Sequence, residues 1–332
     1  MNLIQIENLN VCFDSPRGRV RAVSDACLTI KPGETRGIIG ESGSGKSVLA
    51  KALSGLLNDR ADVSFDYFGL DEKSITELTP DERFYQLNKS ISIIFQNPSE
   101  SLNPTLTIGR QLRETIKIYN LKASKDFIKQ EALGLLDDVG LGNAESILSL
   151  FPHQLSDGVN QRIMIALAIA SSPRLLIADE ATTNLDMTIQ AQILELLNNL
   201  SKQRNIAVLT ITHDFSILAE NTESISVMYC GYIVESGPTE KLLSDPKHPY
   251  TRSLINSVPQ LGNQSQTHSR LYTLPGSIPA AHQVPVGCPL GPRCPSAGKP
   301  CVNVPPSNTI EEQYYRCYFP LNMKPVKPGG NL

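Results

Sequence analysis

With 332 residues, 40% of them hydrophobic and 19% charged, the chain is long enough for about two domains and apolar enough for a sizeable core. A formal net charge of −3 offers no basic patch of the kind that recruits nucleic acid, so no nucleic-acid partner is expected. No apolar run approaches the roughly 18 residues of a membrane-spanning helix, and the opening MNLIQIENLN has neither the basic stretch nor the apolar core of a secretory signal, which makes the cytosol the default compartment.

Residues 1–35 alternate apolar and polar positions and predict antiparallel strands joined by a turn at 14–18 (DSPRG). Residues 36–39 (RGII) predict the end of a buried strand and 47–57 a helix. The Pro- and charge-rich patch at 71–83 predicts a surface connection with a short helix. Residues 91–95 (ISIIF) predict a buried strand running into the loop signal Gln96-Asn97-Pro98. From 105 to 150 the pattern turns helical, with Gly140 and Gly142 as stops, and a further helix over 155–170 ends before Pro173. Residues 175–180 (LLIADE) predict a buried strand ending in two carboxylates. A helix (189–200), a strand (206–212), a short helix (215–220) and a terminal hairpin around Cys230-Gly231 follow. Strands alternating with helices argue for an α/β fold with a mostly parallel sheet. Beyond Asp245 the texture becomes rich in Pro, Gly, Ser and Asn, and helical periodicity survives only at 251–258.

Gly40-Glu41-Ser42-Gly43-Ser44-Gly45-Lys46-Ser47 fits G-x-x-x-x-G-K-[ST] at every fixed position. Glycines there let successive N–H groups turn into one concavity at a helix N-terminus, where partial positive charge favours an anion. Lys46 would reach the β- and γ-phosphates of a nucleoside triphosphate, and Ser47 would place its hydroxyl on Mg²⁺. A chance Gly/Ser loop ending in Lys-Ser is the bland alternative, and the strand before it and helix after it argue against that. Asp179 can hold Mg²⁺ through water, and Glu180 can orient or deprotonate an attacking water. Gln96 is a candidate contact for that water and for Mg²⁺, although alone it would be an ordinary loop glutamine. His213 ends a strand, where an isolated histidine is more often structural; near a γ-phosphate it can donate a hydrogen bond.

The order of P-loop, Gln96 loop, helical insert, 155–159 (LSDGV), 176–180 (LIADE), 184–186 (NLD) and His213 resembles the ATP-binding subunit of an ABC transporter over residues 1–245. The resemblance implies a P-loop (RecA-like) ABC ATPase core with an antiparallel β subdomain and an inserted α-helical subdomain. It divides the chain into 1–96, 97–171 (the helical signature segment) and 172–245. It also implies two such units docked head to tail around ATP and Mg²⁺. Ser156 and Gly158 would then contact the ATP held by the partner, Asp186 would cross the interface, and Phe13 would stack on adenine unless it is a core residue. Two departures stand out: Asp157 replaces the first glycine of the family's L-S-G-G, and Ala181 replaces a proline. A carboxylate near a γ-phosphate is repelled, unless Asp157 turns away and caps its own helix. The expectation is therefore asymmetry: a weak site where this signature completes it, a working site on this P-loop, and a heterodimer.

Residues 246–332, with KHPYT at 247–251, LPGSIP at 274–279 and PRCP at 292–295, resemble the C-terminal extension of the oligopeptide/dipeptide branch of that family. The branch implies a translocase ATPase at the cytoplasmic face of the inner membrane, energising peptide transport. Its partners would be two permease subunits, a second homologous ATP-binding subunit and a periplasmic substrate-binding protein. The helical insert and Gln96 loop would dock on the permeases. Seven cysteines include Cys288, Cys294, Cys301 and Cys317 at spacing C-x5-C-x6-C-x15-C. Amid dense prolines, a [4Fe–4S] cluster on these four ranks ahead of unliganded thiols, with zinc third. Cys12, Cys27 and Cys230 are expected to be small core residues. Other readings held open are a regulatory half that binds ATP but turns it over weakly, a polyamine or other small cation as cargo, and a soluble ABC ATPase acting on DNA or ribosomes. The last lacks the tandem units, coiled coils or basic surfaces it would need.

Overall fold

The computed structural model describes residues 1–16, 18–183, 185–258 and 274–326; Arg17 of the expected turn and Asn184 of the 184–186 motif lie outside them. Strands β1 (Ile4–Ser15) and β2 (Gly18–Ile30) pair antiparallel from Ile4↔Ile30 to Ser15↔Gly18, as their alternation predicts. That alternation buries Val23, Ala26, Leu28 and Ile30 and turns Cys27 outward, so Cys27 is exposed and not a core residue, whereas Cys12 and Cys230 are buried. Next come β3 (Thr35–Ile39) and helix α1 (Lys46–Leu53), then three short strands that sequence reading missed: β4 (Ala61–Ser64), β5 (Tyr67–Leu70) and β6 (Lys73–Ser74). Among the described residues the first sheet runs β2-β1-β5-β6, with β4 also on β1.

Helix α2 (Pro80–Ser90) is longer than the expected short helix at 71–83; Thr79 and Glu82 form a reciprocal capping box and Pro80 sits at the first helical position. Strand β7 (Ile91–Ile94) precedes the helical insert, made of α3 (Pro98–Ser101), α4 (Ile108–Tyr119), α5 (Lys125–Asp138), α6 (Ala144–Leu148) and α7 (Asp157–Ile169). Hydroxyls of Thr107, Ser124 and Ser156 cap α4, α5 and α7. The cassette continues through β8 (Leu175–Asp179), α8 (Met187–Arg204), β9 (Ala207–Thr212), α9 (Phe215–Asn221), β10 (Ser224–Tyr229) and β11 (Tyr232–Pro238). Strand β8 is buried at all five positions, as a strand covered on both faces must be. One face of the large sheet packs on α1 and the first sheet through Ile38, Leu49 and Ile177; the other packs on the insert and α8 through Ile94, Leu176 and Leu197. Each such fully buried Leu or Ile contributes roughly 1.5–3 kcal/mol.

The hairpin around Cys230-Gly231 does not end the sheet. After α10 (Thr239–Ser244) and α11 (Pro249–Ser257), β12 (Ser307–Ile310) and β13 (Gln313–Arg316) extend it beyond β11, giving the order β12-β13-β11-β10-β3-β9-β8-β7 among the described residues. The extension thus covers an edge that the hairpin alone would leave open. Its anchor is Glu235 of β11, fully buried, whose carboxylate accepts from Lys247 N (2.6 Å), His248 N (3.0 Å) and Gln313 Nε2 (2.7 Å). A third apolar cluster, holding Tyr229, Tyr250, Cys288 and Leu290, seals the extension to the cassette.

Candidate active site

Strand register assembles the site. In the parallel ladders Ile39 of β3 faces Thr212 of β9, Asp179 of β8 faces Ile211, and Ala178 faces Ile94 of β7. The chain therefore leaves four neighbouring strands at one edge: into the P-loop, at Glu180, at His213 and at Gln96. Carboxyl ends of parallel strands are where open α/β sheets place ligands.

Glycine is required in the P-loop by close packing. A Cβ on Gly40 would lie 2.1 Å from the Met228 carbonyl oxygen, and one on Gly45, at φ 104°, would lie 2.3 Å from that of Ala22. Lys46 is buried, and its Nζ donates to the carbonyls of Gly40 (2.8 Å) and Glu41 (3.1 Å). Burial lowers its pKa, opposed by attraction from Glu180, Asp179 and Glu41. A buried ammonium held only by carbonyls suits an anionic ligand. Ser42, Gly43, Gly45, Lys46 and Ser47 line a cleft of about 320 Å³, while Ser44 is buried beneath it.

The Ser47 hydroxyl donates to Asp179 Oδ1 at 3.0 Å. Burial raises the Asp179 pKa, the Ser47 bond lowers it, Glu180 raises it and Lys46 lowers it. A carboxylate and a hydroxyl beside an anion cradle are the oxygen donors that Mg²⁺ takes, so this pair fits the expected ion. Glu180 follows with φ 51°, a left-handed backbone held by its N–H donating to Ile211 O at 3.0 Å. Such a conformation in a non-glycine residue costs on the order of 1–3 kcal/mol. Gln96 Nε2 donates to Glu180 Oε2 at 3.2 Å, and His213 Nδ1 lies 4.0 Å from Oε1. Gln96 thus touches the carboxylate that would act on water, not the Ser47–Asp179 pair.

Other expected residues stand apart from this cleft. Phe13, paired with Val20 and Ala61, packs partly buried against the first core and is not among the lining residues. Ser156 caps α7 by accepting from Val159 N at 3.5 Å, so the cap is Ser156 and not Asp157, which sits exposed in the first turn. A Cβ on Gly158 would meet Ile189 at 3.0 Å, and Asp186 caps α8 by accepting from Thr188 and Ile189. Sequence reading missed Arg21, Ala22, Val48, Cys230, Gly231, Pro279, Ala281 and Val284, which complete the cleft. No local signal marks them, since contacts between distant segments leave none in a single sequence.

Burial pushes the thiols of Cys288 up to about 11 and Cys317 up to about 12, with smaller contributions from their neighbouring cysteines. Cys288 N donates to Cys301 O at 3.0 Å. Among the described residues no group of three or more His, Cys, Asp or Glu side chains is placed to hold a metal ion. The expected cluster site is therefore not assembled in this structure.

A family model described as ABC transporter matches residues 23–183, and one described as Oligopeptide/dipeptide transporter, C-terminal region, matches residues 234–301. The peptide transport system ATP-binding protein SapD of Salmonella typhimurium is 41% identical over 328 residues, 98% of this chain and 99% of its own length. The dipeptide transport ATP-binding protein DppD of Escherichia coli is 40% identical over 324 residues, 97% of this chain and 98% of its own. Among solved structures, the ATP-binding cassette MJ0796 in a dimeric post-hydrolysis state with ADP and Pi superimposes with a TM-score of 0.62 at 26% identity, over 71% of this chain and 98% of its own. The chain cbiO1 from Clostridium perfringens, part of the ABC transporter complex cbiONQ, gives 0.60 at 27%, over 73% and 90%.

Proposed function

Since the chain belongs to the ABC transporter ATP-binding family, in its oligopeptide/dipeptide branch, we propose that it binds and hydrolyses ATP to energise transport of peptides across a membrane. The observation that carries this reading is one sheet edge holding a buried Lys46 in a glycine loop, the Ser47–Asp179 pair and Glu180 together. The loop amides and Lys46 hold the phosphates. Ser47 and Asp179 would hold Mg²⁺, which when bound would supply charge that neutralises the phosphates. Glu180 accepts the proton of the attacking water, Gln96 fixes the carboxylate by its hydrogen bond, and His213 is near enough to orient it.

Among the described residues no helix is long and apolar enough to cross a membrane, so the membrane path belongs to partner permeases in this reading. A groove of about 980 Å³ between α2, α4 and α5, with Tyr85, Ile118, Tyr119, Leu121 and Phe127 on its walls, supports docking on them. Leu121 is 89% and Ile118 69% exposed, more apolar surface than a solvated helix end needs. The arrangement is peripheral, at the cytoplasmic face of the inner membrane, with a second homologous ATP-binding subunit and a periplasmic substrate-binding protein completing the assembly. The expected [4Fe–4S] cluster on Cys288, Cys294, Cys301 and Cys317 has no assembled ligand set among the described residues and is no part of this reading; iron and sulfide found in anaerobically purified protein would overturn that.

The test is cargo-stimulated ATP hydrolysis by the assembled complex in lipid, wild type against Glu180→Gln. Collapse of turnover assigns the working site to this chain. Little change favours the second reading, a regulatory half, for which exposed Asp157 in the signature segment is the supporting observation.

A further inference from the structure

The cleft has two kinds of lining. Ser42, Gly43, Gly45, Lys46, Ser47 and Glu180 supply amides and charged groups. Ala22, Pro279, Ala281 and Val284, the last three from the C-terminal extension, supply apolar surface beside Arg21, and no aromatic side chain is among the described lining residues. With the triphosphate on the amides and Lys46, that apolar surface is what the cleft offers to the base and sugar.

The Pro279–Val284 segment is tied to the P-loop. Arg293 Nη1 donates to Glu41 Oε1 (3.1 Å) and Oε2 (3.2 Å) and to Tyr229 Oη (3.2 Å), while its Nε donates to the Pro275 carbonyl (3.0 Å). One guanidinium thus joins the second residue of the P-loop to the backbone at Pro275, four residues before that segment. The Arg293 side chain is only 9% exposed, which shields the ion pair from screening. Ile278 and Val284 pack against the third apolar cluster, and Gln283 N closes a turn onto Ala280 O at 2.7 Å.

Resting on the reading of this cleft as the nucleotide site, we infer that the C-terminal extension is part of it. Pro279, Ala281 and Val284 form the wall that takes the nucleobase, and Arg293 is the positioning residue that latches this wall to the P-loop. Aliphatic and proline surface covers a purine face without the stacking partner expected at Phe13.

The test uses the full chain and compares calorimetric binding of Mg-ATP with that of Mg-tripolyphosphate, which has the phosphates without base or sugar. Val284→Asp is expected to weaken ATP about tenfold and leave tripolyphosphate within about twofold. Arg293→Gln is expected to weaken ATP several-fold, with Arg293→Lys, which keeps the charge on Glu41, recovering part of the loss. Where Val284→Asp loses both ligands, Val284→Gln is judged by the same ratio. ATP binding at the wild-type level in Val284→Asp and Arg293→Gln overturns the inference, as does an equal loss of both ligands in both Val284 variants. Absence of ATP binding by the wild-type chain, or undiminished binding by Lys46→Ala, overturns the nucleotide reading itself.

Discussion

The backbone N–H of Glu41 donates to the hydroxyl of Tyr250 at 2.9 Å, joining the P-loop to a helix 209 positions further along the chain. Tyr250 is fully buried and held edge-on against Tyr229, with ring centroids 4.8 Å apart. It stands where it does because His248 caps α11 and Pro249 opens it. The Glu41 carbonyl meanwhile accepts from Lys46. The phosphate loop is thus supported from behind by the C-terminal extension.

Tyr250→Phe keeps the ring and removes the acceptor. The Glu41 N–H is then left without its partner, at a cost of about 1–3 kcal/mol, toward the lower end because Glu41 is only half-buried. A lower melting temperature and ATP affinity reduced several-fold are the expected outcomes, read by thermal unfolding and calorimetry. Unchanged affinity would mean that the loop is held without this bond.

How far such links are legible in a sequence depends on their range. The P-loop, the buried LIADE strand and His213 announce themselves because each is a short run whose local pattern fixes both its element and its place at a strand end. Parallel register then brings Glu180 beside His213 and Gln96, as alternating strands and helices imply. Tyr250 and Arg293 give no such signal, because their partners Glu41 and Tyr229 lie far away in the chain, and neither does Val284, which lines the cleft with residues of the N-terminal strands. The strands of the extension are masked by the prolines that precede Ser307, which argue against regular structure there. Cys27 was misplaced because a strand-like context does not say which face of the strand a residue takes.

Asp179→Asn removes the one negative charge that the Ser47–Asp179 pair offers to a divalent cation. ATP turnover of the assembled complex is expected to fall at least about a hundredfold, with nucleotide binding measured in EDTA little changed. Retained turnover would relocate the metal contact to other residues.

Acid should loosen the extension through His248. Burial pushes its imidazole from 6.5 down to about 3, and neutral Nδ1 accepts from Tyr250 N at 3.2 Å. Between those two values the unfolded chain binds a proton that the folded chain refuses, so stability falls as pH falls through the window. The slope from this group is at most about 1.4 kcal/mol per pH unit. Glu235, whose carboxyl burial holds above its ordinary range, works with the opposite sign, retaining a proton in the folded state. Denaturant midpoints of wild type and His248→Gln across this range separate the two, since the variant should lose the acid-dependent fall assigned to His248. Parallel curves would show that His248 does not drive it.

Asp157 lies at the first position of α7, where a negative charge favours the helix by roughly 0.3–1 kcal/mol. Replacement by glycine gives up that term and adds a helix-propensity cost of roughly a few tenths of a kcal/mol, since aspartate itself ranks just above glycine. The melting temperature of Asp157→Gly should therefore drop slightly. If this segment faces the γ-phosphate of a partner's ATP, the same change removes a like-charge repulsion that a glycine backbone cannot exert. The two effects separate in an assembled pair in which this chain also carries Glu180→Gln, silencing its own P-loop site. Turnover then comes from the site that this signature completes. Asp157→Gly should raise it several-fold while stability falls. Turnover unchanged by the substitution would mean that Asp157 points away from the phosphate in the working dimer, and the asymmetry between the two sites would have to come from elsewhere.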